Sequence, residues 1–156
     1  MPVVSFQAFK TEIYPTFSRK TRLMGLDLGR KRIGISLSDL THSIASPFKL
    51  LERKTFQGVA CELINIIDLE DVGALIVGLP LEMNGKEGRS TQSVRHFVYN
   101  LLQLRECVVV FWDERFSTAA VTRTLLEADI SRKKRAQVVD KMAASYILQG
   151  FLDALA

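Results

Sequence analysis

Three places in this chain put a carboxylate where solvation alone does not account for it. Asp27 lies inside an apolar run, Gly25-Leu26-Asp27-Leu28-Gly29. An ionised carboxylate in a strand interior needs a cationic partner, a metal or a water-filled cleft, because burying it bare shifts its pKa and costs stability. Asp113 and Glu114 directly follow a second apolar run, Cys107 to Trp112. That is the carboxyl end of a strand, where α/β sheets commonly build their sites. Asp140 opens the last helical stretch, and its i+3 and i+4 neighbours are Ala143 and Ala144, small enough to let that turn approach a sheet closely. Ordinary roles are also open: Asp140 suits the positive end of a helix, and Glu114 can pair with Arg115. If the three places converge, they form an oxygen-rich cage suited to hard divalent cations. Two such ions about 4 Å apart can activate water and stabilise a leaving oxygen on phosphorus. The chemistry indicated is metal-dependent phosphoryl transfer. Zinc is a poor alternative, because Cys61, Cys107, His42 and His96 lie far apart and none has metal-site spacing. The two thiols are expected to be buried and structural, in a reducing compartment.

The acids need a scaffold, and 156 residues supply one domain of ordinary size. Hydrophobic residues at 47% and charged residues at 24% exclude an intrinsically disordered chain. No run approaches the roughly 18 apolar residues of a membrane span, and the start lacks the apolar core of a secretory signal. A cytoplasmic protein with no membrane association is therefore expected. Residues 1–20 carry Pro2 and Pro15 and show no sustained period, which reads as an N-terminal extension.

From Arg22 the pattern is regular. Leu23 to Leu28 reads as a buried strand. Ile33, Ile35 and Leu37 alternate with Gly34, Ser36 and Ser38 as a half-buried strand, and Gly29-Arg30-Lys31 is the turn between them. A third strand, Phe48 to Leu51, completes an antiparallel meander. Phe56, Val59, Ala60, Leu63 and Ile67 then fall at helical spacing, and Ala74 to Val77 reads as a strand covered on both faces. Pro80 to Arg89 is a loop with an Asn84-Gly85 turn signal. A helix through Val94, Phe97, Val98, Leu101 and Leu102 and the strand Val108 to Trp112 follow. Ser117 suits the N-cap of a helix bearing Val121 and Leu125, and a basic linker leads to a final helix with Val139, Met142, Ala143, Tyr146, Ile147, Gly150 and Phe151 on one face. The order βββαβαβαα predicts an α/β fold. Its mixed five-stranded sheet has three antiparallel strands, then α/β crossovers, with helices on both faces.

The net charge is +4, and its location matters more than its size. Residues 130–141 hold Arg132, Lys133, Lys134, Arg135 and Lys141 against Asp140 alone, which accounts for the whole excess. Such a run is ordinarily a solvated face, and contact with a polyanion is the alternative.

Four segments in order carry a resemblance: Gly25-Leu26-Asp27-Leu28-Gly29-Arg30-Lys31-Arg32-Ile33-Gly34; Val77-Gly78-Leu79-Pro80-Leu81 with Asn84-Gly85; Asp113-Glu114-Arg115-Phe116-Ser117-Thr118; and Val139-Asp140 through Ala143-Ala144 to Ile147-Leu148. Over about residues 22–155 the chain resembles the YqgF family, Holliday-junction-resolvase-like proteins of the RNase H fold associated with maturation of the 5′ end of pre-16S rRNA. The resemblance implies an RNase H-like nuclease domain over residues 21–156. It makes Asp27, Glu114 and Asp140 the catalytic and metal-holding acids, with Mg²⁺ or Mn²⁺ as cofactor. Strand alternation sends Asp113 and Glu114 to opposite faces, so one of the two is expected at the metal. Arg115, Ser117 and Thr118 would then touch substrate or support the acids.

Nucleic acid, as pre-rRNA or a pre-ribosomal particle, is the implied partner. It would be held by Arg30, Lys31 and Arg32 at the hairpin tip, by Lys86 and Arg89 of the loop, and by Arg132, Lys133, Lys134 and Arg135. Gly85-Lys86 is not a phosphate loop, since Glu87 stands where Ser or Thr is required. A Holliday-junction DNA resolvase would use the same site. A non-catalytic pre-ribosomal RNA-binding assembly factor would gain nothing from carboxylates facing phosphate. An actin-like ATPase needs two such domains, and this length provides one.

Changing Arg132, Lys133, Lys134 and Arg135 together to Ala is expected to weaken RNA binding across sequences and leave turnover at saturating RNA little changed. Each lost phosphate contact should flatten the slope of log K on log[salt] by roughly 0.7 to 0.9. Titrations at several salt concentrations check this, and an unchanged slope would leave the run a solvated face.

Overall fold

Val72–Leu79 is an almost uninterrupted apolar run, which suits a strand with parallel neighbours and covered faces. The computed structural model describes the backbone of residues 3–116 and 132–156, and the side chains of 3–115 and 142–156. The strands are β1 (Val3–Val4), β2 (Arg22–Leu28), β3 (Arg32–Ser38), β4 (Ala45–Glu52), β5 (Val72–Leu79) and β6 (Val108–Asp113). They form one sheet in the order β1-β6-β5-β2-β3-β4. β2, β3 and β4 are antiparallel, while β2, β5, β6 and β1 run parallel. The mixed sheet is as expected, but it has six strands rather than five. The third strand also starts earlier, at Ala45.

Helices α1 (Phe56–Leu69), α2 (Arg89–Leu104) and α3 (Arg132–Leu155) cover the sheet. The period-two alternation of β2 and β3 divides the core between its faces. Met24, Leu26, Ile33, Ile35 and Leu37 pack with Val59, Leu63, Val94, Phe97 and Leu101 of α1 and α2. Leu23, Ala74, Ile76 and Val110 pack with Ile147, Leu148, Phe151 and Leu152 of α3. Cys61, expected to be buried, is exposed, because Val59, Ala60 and Leu63 turn the other side of α1 to the core.

On the α3 face of β3, Ser36 and Ser38 are buried, although the sequence reads as a half-buried strand. Their small side chains admit a helix at close range, and both are satisfied. Ser36 Oγ donates to the Ala144 carbonyl at 2.7 Å, and Ser38 Oγ accepts from the Leu23 amide at 2.9 Å. A Cβ on Gly25 would lie 2.7 Å from that carbonyl and 2.8 Å from Leu148 Cβ. Glycine, serine and alanine thus set the helix-to-sheet distance here.

The segment with Arg132, Lys133, Lys134 and Arg135, expected as a linker, is the start of α3. Lys, Arg and Ala favour helix, and no Gly or Pro stands between Arg132 and Gln149 to stop it. The side chains of these four basic residues lie outside the described residues. So do Ser117, Thr118 and the helix expected around Val121 and Leu125.

The sixth strand comes from the segment read as an extension. Val3 and Val4 pair with Val109 and Val110, and helical turns over Phe6–Thr16 follow. Phe6 meets Trp112 and Phe151 edge-on, with centroids 5.5 and 5.3 Å apart, and Phe9, at 0% exposure, packs on Phe17 and Phe151. Irregular spacing hid this, because the aromatics anchor turns rather than one periodic face. Phe9→Ala should therefore destabilise the whole domain by about 3–5 kcal/mol. Urea unfolding measures it, and a loss under about 1 kcal/mol would take the segment out of the core.

Candidate nuclease site

Leu23, Gly25 and Asp27 share the α3 side of β2, since Met24 and Leu26 face the other helices. Asp27 ends that row with 5% of its surface exposed. Leu26 pairs with Val77 of β5, so Gly78 follows beside Asp27, and Gly78 in turn pairs with Trp112 of β6. The missing side chain of Gly78 is used. Where its Cβ would stand, Glu114 Oε1 is 2.7 Å away and Ile147 Cδ1 2.5 Å. Glu114 begins a single 3₁₀ turn over Glu114–Phe116 just past β6, which lets its carboxylate fold back over the glycine. Asp27 and Glu114 are thereby brought to one face and one end of the sheet, across a residue that has no side chain to separate them.

Gln149 Oε1 accepts from the Ala45 amide at 2.8 Å, near the start of β2, whereas Ala144 lies over Gly25. Reading α3 backwards therefore leads toward the Asp27 end, and Asp140 stands one turn beyond Ala144. Its side chain lies outside the described residues. Among the described residues no cluster of three or more His, Cys, Asp or Glu is placed to hold a metal. The donors brought together, Asp27 and Glu114, offer only oxygen, which suits a hard divalent cation.

Asp113 goes elsewhere. It pairs with Leu79 on the α1/α2 face, and both its oxygens accept from Arg115 at 2.6 to 3.1 Å. The Arg115 guanidinium holds the Asp113 carboxyl below its ordinary value of 3.8. Arg115 Nη1 also donates to the Met83 carbonyl at 3.3 Å, and the guanidinium lies over Gly85. This clamps the loop after β5, a small hairpin in which Leu81 bridges Glu87, the Gly85 amide donates to the Glu82 carbonyl at 2.8 Å and Gly85 takes a φ of 83°. Thr91, fully buried, fixes the base of that loop by donating to the Pro80 carbonyl.

Among the described residues the expected basic contacts fall on separate elements. Arg30 and Lys31 are exposed on the β2–β3 turn, Arg32 opens β3 on the Asp27 side, Lys86 is exposed on the clamped loop and Arg89 is exposed at the first position of α2. Gly78 stands in one of the four segments that carry the resemblance, but its place beneath Glu114 has no sequence signal, and neither has Arg53, whose Nη1 donates to the Gly29 carbonyl at 2.6 Å.

A mixed sheet of this order, with carboxylates at the ends of its central strands, defines an RNase H-like fold of the resolvase type. The RuvC of T. thermophilus in complex with a Holliday junction substrate matches at a TM-score of 0.55 and 9% identity, over 86% of this chain and 95% of that one. The yeast mitochondrial Holliday junction resolvase Ydc2 matches at 0.50 and 8%, over 96% and 85%. At that identity the likeness is one of fold. The model of the RuvX family, described as Holliday junction resolvase, matches residues 21–154, and this chain belongs to that family, the YqgF family of the resemblance above. A Paramagnetospirillum magneticum protein named "Putative pre-16S rRNA nuclease" is 54% identical over 153 residues, 98% of this chain and 96% of that one. A Caulobacter vibrioides protein of the same name is 46% identical over 157 residues, 99% and 98%.

The Asp113 clamp has a pH signature. A folded-state pKa below 3.8 means that the pair stabilises the protein fully above that value, and the contribution disappears as pH falls through the lowered pKa. The stability gap between the wild type and Asp113→Asn should thus be constant near neutrality and close progressively as pH falls below about 4. Thermal melts across that range measure it, and a gap that widens on acidification would contradict the pairing.

Proposed function

We propose that this chain is a metal-dependent endonuclease that hydrolyses phosphodiesters of structured RNA in 5′-end maturation of pre-16S rRNA, acting in the cytoplasm. The observation that carries the reading is the seat of the Glu114 carboxylate over Gly78, on the same face and sheet end as the buried Asp27. Membership of the family and the names of relatives about half identical to this chain support the substrate class. Asp27, Glu114 and Asp140 would hold Mg²⁺ or Mn²⁺. Metal held there would supply polarisation of the scissile phosphate and a more acidic attacking water, so no side-chain nucleophile would be required.

The protein's own part is placement. Asp27 is held by the central strand, Glu114 by the turn at the end of β6, and both meet phosphate from the side of α3. Asp113, turned to the opposite face, acts through Arg115 on the loop that carries Lys86. Arg30, Lys31, Arg32, Arg89 and the basic start of α3 supply charge that is indifferent to sequence and sensitive to salt. The family's description also favours a second reading, resolution of a four-way DNA junction. It uses the same acids and differs in the geometry of duplex accepted.

Cleavage of a 5′-extended pre-16S fragment with and without Mn²⁺, beside a four-way DNA junction, tests both readings. Asp27→Asn and Glu114→Gln should each fold and lose nearly all cleavage, whereas Asp113→Asn should retain most of it. Wild-type turnover in Asp27→Asn would remove that residue from the site. Loss confined to Asp113→Asn would exchange the two roles at the end of β6.

A further inference from the structure

At the same end of the sheet, on the α1/α2 side, a cavity of about 310 Å³ opens between the Gly29–Lys31 turn and the start of α1. Arg30, Arg53, Lys54, Thr55, Ser93 and Phe97 line it. Three cations converge there, and no carboxylate is among the described residues of its lining. Like charges gathered in one small concavity repel each other, and an anion seated among them turns that repulsion into attraction.

Arg53 is fixed in advance. Its backbone amide donates to the Lys31 carbonyl at 2.8 Å, its Nη1 donates to the Gly29 carbonyl at 2.6 Å and its guanidinium lies 5.1 Å from the centroid of the Phe97 ring. Phe97 is itself buried and set edge-on against Phe56. A guanidinium has five N–H donors in a rigid fork, so one given to Gly29 leaves others for the cavity that Arg53 lines. Holding the side chain in place beforehand lowers the entropy lost on binding. Thr55 Oγ1 accepts from the Gly58 amide at 3.1 Å, which leaves its hydroxyl proton to donate, and Ser93 adds a second hydroxyl.

We propose that this cavity is a phosphate subsite, holding one backbone phosphate of the nucleic acid whose scissile bond lies on the Asp27 face. It rests on the nuclease reading and extends it to a part of the surface separate from the acids. The Arg53 contact falls on Gly29, two residues from Asp27. One short hairpin thus joins the two sites, and a strand held in the cavity is held in register with the reacting phosphate. Recognition here is of charge and tetrahedral oxygen, without regard to base.

The test uses the full chain, ¹⁵N-labelled and titrated separately with inorganic phosphate and with the 5′-extended RNA fragment. Expected are saturable shifts of the Lys54, Thr55 and Ser93 amides with RNA at far lower concentration than with phosphate. Arg30→Ala with Lys54→Ala should weaken RNA binding about 3- to 10-fold near 0.1 M salt and flatten the salt slope by roughly 0.7 to 0.9. Lys54→Glu alone, at an exposed position, gives the same readout should the pair unfold. RNA that binds and is cleaved while these amides stay silent overturns the subsite and leaves the nuclease reading standing. Shifts with phosphate but none with RNA also overturn it, marking a site for free phosphate. RNA that shifts these amides but is not cleaved by the wild type keeps the subsite and overturns the nuclease reading alone.

Discussion

The close approach of α3 to β2 and β3 is the constraint on which the rest of the site depends. Gly25 leaves room for the Ala144 carbonyl, Ser36 donates to it, and Ala143 and Ala144 present nothing larger than a methyl group. A bulkier residue at any of these places would push the helix outward and with it the turn that carries Asp140. Ile147, one turn after Ala143 on the same helix, reaches Gly78 from the same side as Glu114. Helix, glycine and carboxylate are therefore packed as one unit, and interiors of native density transmit displacements of this kind.

The two faces of the sheet divide the chemistry. On the α3 face Asp27 near the end of β2 and Glu114 just past β6 stand at one end of the sheet, and the strand between them contributes only hydrogen at Gly78. On the opposite face Asp113 is neutralised by Arg115 and works as an anchor for a loop. Adjacent acids of nearly identical chemistry meet different surroundings because β6 ends at Asp113 and the chain turns at Glu114. The 3₁₀ turn at Glu114 then adds the bend that folds its carboxylate back over the sheet.

The N-terminal segment shows the opposite economy. Two residues of strand and a cluster of rings over Phe6, Phe9, Tyr14 and Phe17 cover the β6 side of the sheet and the C-terminal half of α3. They support the strand that delivers Glu114: β6 gains a parallel neighbour and is not left as a bare edge, and Phe6 packs on Trp112 near its end.

Much of this was legible in the amino-acid order. The switch from period two to period 3.6 at Phe56, the alternation of Ile33, Ile35 and Leu37, and the apolar runs ending at Leu79 and Trp112 are local patterns, and local patterns set strands and helices. Asp27 stood out because a charge interrupts such a run, and the opposition of Asp113 and Glu114 was expected from strand alternation, although the turn at Glu114 also shapes it. Other features required the folded chain. Val3–Val4 becomes a strand only because β6 offers an unpaired edge, Phe9 is core only because Phe17 and Phe151 meet it, and the cradle at Gly78 exists only where three distant segments cross. Arg53 is the extreme case: its partner at Gly29 is brought to it by the meander, and no spacing in the sequence records that pairing. Periodicity is a property of neighbours along the chain, whereas contacts between remote segments are decided by packing, and it is packing that brought Asp27, Gly78 and Glu114 to one face.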